Sequence, residues 1–245
     1  EDAEIFFREG IEAAKDAGRQ DLAAFNYSNL AANCVLRKED QKTIEYNQEA
    51  EKLLDLVKDN FSKSQVLVKI GNTYKEIVNR APDKAQASQR IALAGAAYKK
   101  AIDIFMAQKN GRGLTYALGY MAELYEMDGR LEEARELAGD AIKVAGSADN
   151  TSDALYRWQW MIGRLDWNEK KVEEAIQGYE EAILTIQGVK QDLATVYGSI
   201  HSHQSFREKV GRIYYEYANL LFEHLKTKEG EQRQVLLVKI RDAIE

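Results

Sequence analysis

Arg157, Trp158, Trp160, Arg164 and Trp167 lie within eleven consecutive residues and include all three tryptophans of the 245-residue chain. The chemistry such a set can do is non-covalent. An indole ring offers a large apolar face and one N–H donor, and a guanidinium stacks on such a ring or grips a carboxylate. Residues suited to covalent or metal chemistry are few. Cys34 is the only cysteine, which excludes a disulfide within the chain and any cysteine metal cluster; it reads as a small buried hydrophobe on a helix. His201 and His203 sit two apart in the loop-like GSIHSHQSF, and His224 is the third histidine. Zinc needs three or four converging ligands, and this spacing supplies no such set. There is no Gly-rich phosphate loop, no Gly-x-Ser-x-Gly elbow and no HExxH helix. We therefore assign no catalytic residue, metal ligand or cofactor, and the chain reads as a non-enzyme.

Composition then limits the elements that position these residues. One proline, 16 glycines and 45% hydrophobic residues leave few turn and strand signals beside ample apolar side chains, which predicts an all-α chain. A net charge of −6 offers no basic face for a phosphate backbone, so no nucleic-acid partner is expected. Apolar runs such as Val66–Val68 and Val235–Val238 are far shorter than the roughly 20 residues a membrane helix requires, so no membrane partner is expected either.

Small residues recur in step along the chain. From Gly163, Ala175, Tyr179 and Ala182 follow at +12, +16 and +19. Ala122 gives Ala134, Ala138 and Ala141 at the same offsets, and Ala31 gives Thr43, Asn47 and Ala50. Gly71 finds Ala94, Tyr98 and Ala101 only after an insertion of 11 residues. Ala3, Phe7 and Gly10 repeat the second half of the pattern by themselves. Two helices approach closely only where side chains are short, so each unit reads as a helical hairpin stacking on the next. The expected units are 1–18 (a half repeat), 20–59, 62–109 with a long second helix, 112–146, 152–190 and a terminal hairpin 203–245, all in one domain. The fold class predicted is an α-solenoid, a right-handed superhelix of about ten or eleven helices with a period near 40 residues. Ser62-x-x-Gln65 and Asp83-x-x-Gln86 resemble capping boxes, Pro82 would open the long helix, and Gly129 and Gly146 stand where left-handed residues would end helices.

Small and aromatic residues at these offsets resemble the tetratricopeptide (TPR) repeat. From Tyr156 onward the runs YRWQWMIGRL, EEAIQGYEEAI, QGVKQDL, FREKVGRIYYEYANLLF and KIRDAIE are similar to the TPR region upstream of a bacterial caspase-like (CHAT) peptidase domain. The resemblance covers about the last 90 residues; the first 155 match only as generic repeats. It implies a regulatory arm cut before its peptidase domain, a caspase-like domain following in the full-length protein, and a bacterial cytoplasmic setting. The chain departs from that pattern at Arg212, where proline is expected, and in the polar loop Gly198 to Ser205.

Within this frame Leu155, Trp158, Ile162 and Leu165 form an apolar stripe assigned to the core, whereas Arg157, Trp160, Met161, Arg164 and Trp167 form a mixed stripe. Trp160 either faces a recognition groove or packs on the neighbouring hairpin with its N–H at the edge. Gln159 lies between the rings, so a modest helix rotation would exchange their roles. Carried through the other units, the mixed stripe lines a concave groove with Ser28 and Asn29, Lys69 and Asn72, Tyr116, Tyr120 and Glu123, then Arg157, Trp160 and Arg164. Asn can hold a peptide backbone, Lys and Arg a carboxylate or phosphate, and aromatics supply contact area. Val68 stands where a C-terminal carboxylate clamp would place lysine, so chain-end and internal peptides stay open as ligands. The expected function is protein or peptide binding. The alternative is an architectural or self-associating scaffold, its groove filled by the apolar face Val235, Leu236, Leu237, Ile240 and Ile244 of the last helix.

Overall fold

Small residues at fixed offsets bring paired helices together, most plainly at Gly71 and Gly163. The computed structural model describes residues 2–148, 151–196 and 200–244, with side chains described at 3–148, 151–188 and 210–241. Among the described residues there are eleven α-helices, one 3₁₀ turn and no strand. In chain order they are α1 Asp2–Asp16, α2 Gln20–Leu36, α3 Asp40–Leu54, α4 Asn60–Ile77, α5 Lys84–Ala107, α6 Gly111–Met127, α7 Leu131–Ser147, α8 Ser152–Asn168, α9 Val172–Val196, α10 Ile200–Leu225 and α11 Gly230–Ile244. The chain divides into two compact units, 1–137 and 138–245, with the boundary inside α7.

The repeat anchors are where the helices meet. Ala31, Thr43, Asn47, Ala50, Ala94, Tyr98, Ala101, Ala122, Ala134, Ala138, Ala141, Ala175, Tyr179 and Ala182 are all at 0% exposure, so the anchors face inward from α2 to α9. Gly71 and Gly163 show why no side chain fits there. A Cβ on Gly71 would lie 2.5 Å from the Tyr98 ring, and one on Gly163 would lie 2.9 Å from the Tyr179 ring. At the front, Ala3 is exposed and Phe7 and Gly10 are half-buried, while Ile11 and Ala14 one turn on are buried.

Connections repeat as faithfully as the anchors. Gly18, Lys38, Lys109, Gly129 and Lys170 all have positive φ. At each, that residue's N–H reaches a carbonyl three residues back and the next N–H one five residues back, at 2.8 to 3.1 Å. This is the Schellman helix stop. Gly146 does not share it: it lies inside α7, and its neighbours continue the helix. Ser62 is likewise not a cap. Asp59 is, accepting from the Phe61 and Ser62 N–H groups at 3.1 and 3.2 Å. Asp83 caps α5 by accepting from the Gln86 N–H at 2.8 Å, which puts Pro82 one residue ahead of the cap. Residues 200–205 of the expected polar loop are helical in α10, the 26-residue first helix of the last hairpin; 198 and 199 lie outside the described residues, as do the side chains of His201 and His203.

The insertion is shared between helix and connection. α5 has 24 residues against 17 in α7, and 78–83 replaces the three-residue link 128–130. Its start is tied down. Asp40 holds Arg80 at 2.8 Å and the buried Arg90 at 2.9 Å, Arg80 also donates to the Val35 carbonyl at 3.1 Å, and Arg90 to that of Ile77. The long helix is thus anchored on α2 and α3 through its second turn.

Candidate functional site

Unit 1 places α2, α4 and α6, the first helices of three successive hairpins, side by side. The side chains turned away from their small-residue seams are polar and aromatic, and they hold one another. Lys69 Nζ on α4 donates to Asn29 Oδ1 on α2 and sits 5.1 Å from the centroid of the Phe25 ring. Two turns along α4, Lys75 pairs instead with Glu123 on α6 and lies 4.9 Å over the Tyr120 ring. Between them Asn72 Oδ1 accepts from the Tyr98 hydroxyl at 2.7 Å. Tyr98 stacks on Tyr120 at 6.2 Å, Tyr120 meets Tyr116 at 5.9 Å, and Arg112 covers Tyr116 at 5.6 Å. Asn72, Tyr116, Tyr120 and Glu123 therefore form one run, connected through Lys75 and Tyr98, and the Asn29–Lys69 pair lies beside it, Lys69 one helical turn before Asn72 on α4. Ser28 does not belong to it: its side chain is fully buried and its hydroxyl donates to the Phe25 carbonyl at 2.7 Å, because it lies one residue round the helix from Asn29, on the core side.

The electrostatics of the run are uneven. Burial holds the Lys69 ammonium below its ordinary range, and no charged neighbour offsets that. The Tyr98 hydroxyl is pushed well above its usual range, first by burial and then by Glu123, so it stays a neutral donor.

In unit 2, Arg157, Trp160 and Arg164 lie on α8. Trp158 is fully buried, as the apolar stripe requires, but the core face is turned from the one expected: Ala154, Trp158, Met161 and Leu165 are buried, while Leu155 and Ile162 are only half-covered. Met161 thus leaves the mixed stripe for the core, on the side of α8 opposite Tyr156 and Gly163, which face α9 and α10. Gln159, between the rings, accepts from Thr185 on α9 at 2.8 Å.

Trp160 is half-buried against α10 and donates its N–H to Glu216 at 2.8 Å. Glu216 also accepts from the Tyr179 hydroxyl at 3.0 Å and from Arg212 at 2.7 Å. The guanidinium carbons of Arg164 and Arg212 lie 4.5 and 5.5 Å from the Trp160 ring centroid. Arg157 lies 5.0 Å from the Trp158 ring and Trp167 edges onto Tyr179 at 6.3 Å. Glu216 escaped the sequence reading, and Arg212 entered it only as a departure from the expected proline, because α10 carries no clear copy of the repeat; only a glutamate four residues after an arginine marked the pair. Lys75 had a signal, since it lies a helical turn from Asn72, and Tyr98 was read as a repeat anchor but not as a partner of Asn72.

On α11, Leu236 and Ile240 are buried against α10, while Val235, Leu237 and Val238 face outward and Ile244 falls outside the described side chains. Among the described residues no group of acidic, histidine or cysteine side chains could hold a metal, and no helix is long and apolar enough to cross a membrane.

No protein-family model matches the sequence, and no curated protein matches it significantly. Solved structures do match the fold. BtubC (BKLC) from P. vanneervenii superposes with a TM-score of 0.70 at 12% identity, over 98% of this chain and 89% of that one. Aspartyl phosphate phosphatase F from Bacillus subtilis gives 0.61 at 14% identity, over 98% of this chain and 64% of that one. A putative kinesin light chain with nearly identical TPR-like repeats from Podosopora anserina gives 0.55 at 14% identity, over 89% and 92%. The chain is thus an all-α, TPR-like helical-repeat solenoid; identities this low speak for the fold alone.

Proposed function

We propose that this chain is a protein-interaction module that takes a partner peptide on the faces of its first helices. Asn29, Lys69, Asn72, Tyr116, Tyr120 and Glu123 form the recognition face of unit 1, and Arg157, Trp160 and Arg164 contribute one in unit 2. The observation that carries the reading is the two neighbouring sets of contacts on α2, α4 and α6, where amides, a lysine and tyrosines are oriented by their partners and left partly open to solvent. Pre-oriented polar groups beside aromatic area suit recognition better than a core or a random surface. The TPR-like fold of the structural neighbours supports a partner that is a protein.

In its finer form the proposal makes the module a regulatory arm for a caspase-like peptidase domain in a longer protein, supported by the similarity of the runs from Tyr156 to Glu245. Partner binding would then act by favouring one arrangement of the arm over another.

A photo-crosslinking residue at Tyr116 tests the module, with Met106, exposed on α5, as control. Crosslinks to a discrete partner from position 116 but not from 106 support it; equal yields at both overturn it. The architectural reading is favoured by Val235, Leu237 and Val238, which stand 51%, 39% and 48% exposed on α11. A tight oligomer in sedimentation, dispersed by Val235→Ser and Val238→Ser, would favour that reading instead.

A further inference from the structure

Two lysines on one face of α4 meet different fates. Lys75 reaches α6 and is neutralised by Glu123. Lys69 reaches α2 and finds only a neutral amide, Asn29, and the face of Phe25. Among the described residues no carboxylate pairs with Lys69, although it is half-buried. A desolvated ammonium with one neutral acceptor costs stability, and such a cost is characteristic of sites that bind charge.

The neighbours of Lys69 are set as donors. Asn29 commits its oxygen to Lys69, and Asn72 commits its oxygen to the Tyr98 hydroxyl. Each amide keeps its NH₂ for a ligand. Beside them, Phe25 is 47% exposed and Leu22, one turn earlier on α2, is 44% exposed. Two amide NH₂ donors, one positive charge and an apolar shelf together describe the complement of a carboxylate next to an apolar side chain.

We propose that Lys69, with the amides of Asn29 and Asn72 and the ring of Phe25, is a subsite for the carboxylate of an acidic residue in an extended partner peptide, with Phe25 and Leu22 receiving an adjacent apolar side chain. One ammonium balances one carboxylate. A phosphate, carrying closer to two charges and preferring the fork of arginine, does not match it. The subsite rests on the interaction reading above and names its ligand chemistry.

The test is a synthetic array of 12-residue peptides, in amidated and free-carboxylate sets, probed with the wild-type chain, K69M and K52M. Lys52 is an exposed lysine on α3 that serves as control. Wild type and K52M should select Asp or Glu beside a large apolar residue, and K69M should bind the same peptides about tenfold more weakly or worse while melting no lower than wild type. Selection in the amidated set assigns a side-chain carboxylate; selection only in the free set assigns a chain end, with the subsite still a carboxylate site. Peptides selected without acidic enrichment, equal binding by K69M, or preference for phosphoserine over glutamate overturns the subsite and leaves the interaction module standing. No peptide selected by the wild type, together with no crosslink from position 116, overturns both. The Lys69 ammonium, followed by nitrogen NMR, should titrate below the ordinary lysine range in the free chain and move upward when a selected peptide is added; no movement overturns the assignment independently of K69M folding.

Discussion

The indole N–H of Trp160 on α8 donates to Glu216 Oε2 on α10 at 2.8 Å, so a side chain of the proposed recognition stripe bolts one hairpin of unit 2 to the next. Glu216 gathers Trp160, Tyr179 and Arg212 at once. The proposed recognition role and stability therefore share this ring. Trp160→Phe keeps most of the apolar contact and removes the donor, and should cost about 1–2 kcal/mol in urea unfolding. Glu216→Ala strips a common acceptor from three donors and should cost more than W160F. Equal effects of the two would show that the carboxylate is not the hub.

The same substitution should have opposite signs at two kinds of glycine. At Gly71 the Tyr98 ring is fully buried and its hydroxyl is bonded to Asn72, so it has no room to yield to a Cβ 2.5 Å away. Gly71→Ala should destabilise by about 1–3 kcal/mol through overpacking. A Cβ on Gly139, in the middle of α7, meets nothing within 4 Å. Gly139→Ala should stabilise by about 0.5–1 kcal/mol, the ordinary helix preference of alanine. Thermal melts of both variants in parallel check this.

Three helix stops place lysine where glycine is the easier residue. Lys38, Lys109 and Lys170 have φ of 60°, 53° and 62°. A left-handed conformation costs a residue with a Cβ about 1 kcal/mol, part of which glycine gives back through its freer unfolded state. Replacing all three by glycine should raise the midpoint of denaturant unfolding, and Gly129→Lys, at φ 76°, should lower it.

Burial raises the Glu51 carboxyl above the ordinary glutamate range, with Lys100 pulling weakly the other way. Folding therefore favours the protonated acid. At neutral pH the folded state carries the cost of a desolvated charge. That cost disappears as pH falls through the raised folded value toward the unfolded one. Glu51→Gln should be more stable than wild type at pH 7.5, with the gap closing as pH approaches 4.5; urea midpoints at several pH values check it. A gap that widens in acid would contradict the burial argument.

The repeat anchors show what was legible in the sequence. Short side chains at +12, +16 and +19 declare where two helices must touch, because a close approach forbids anything larger at those places. That is local information, and it marked the buried seam residues from Ala31 to Ala182, as the apolar stripe on α8 marked the fully buried Trp158. The stop at Gly129 was equally local. Lys38, Lys109 and Lys170 adopt the same turn without a residue that announces it. Tertiary structure alone decided how far each helix is rotated about its axis. One residue of rotation sent Ser28 and Met161 to the core, because neighbouring helices rather than the strength of the hydrophobic stripe set the final angle. It also decided which charges meet. Lys69 and Lys75 are interchangeable as letters on one helix, yet one finds Glu123 and the other an amide, since their partners come from α6 and α2, some 50 and 40 residues away along the chain. A sequence specifies period and seam through steric exclusion between near neighbours; which distant side chains become partners follows only once the helices are packed.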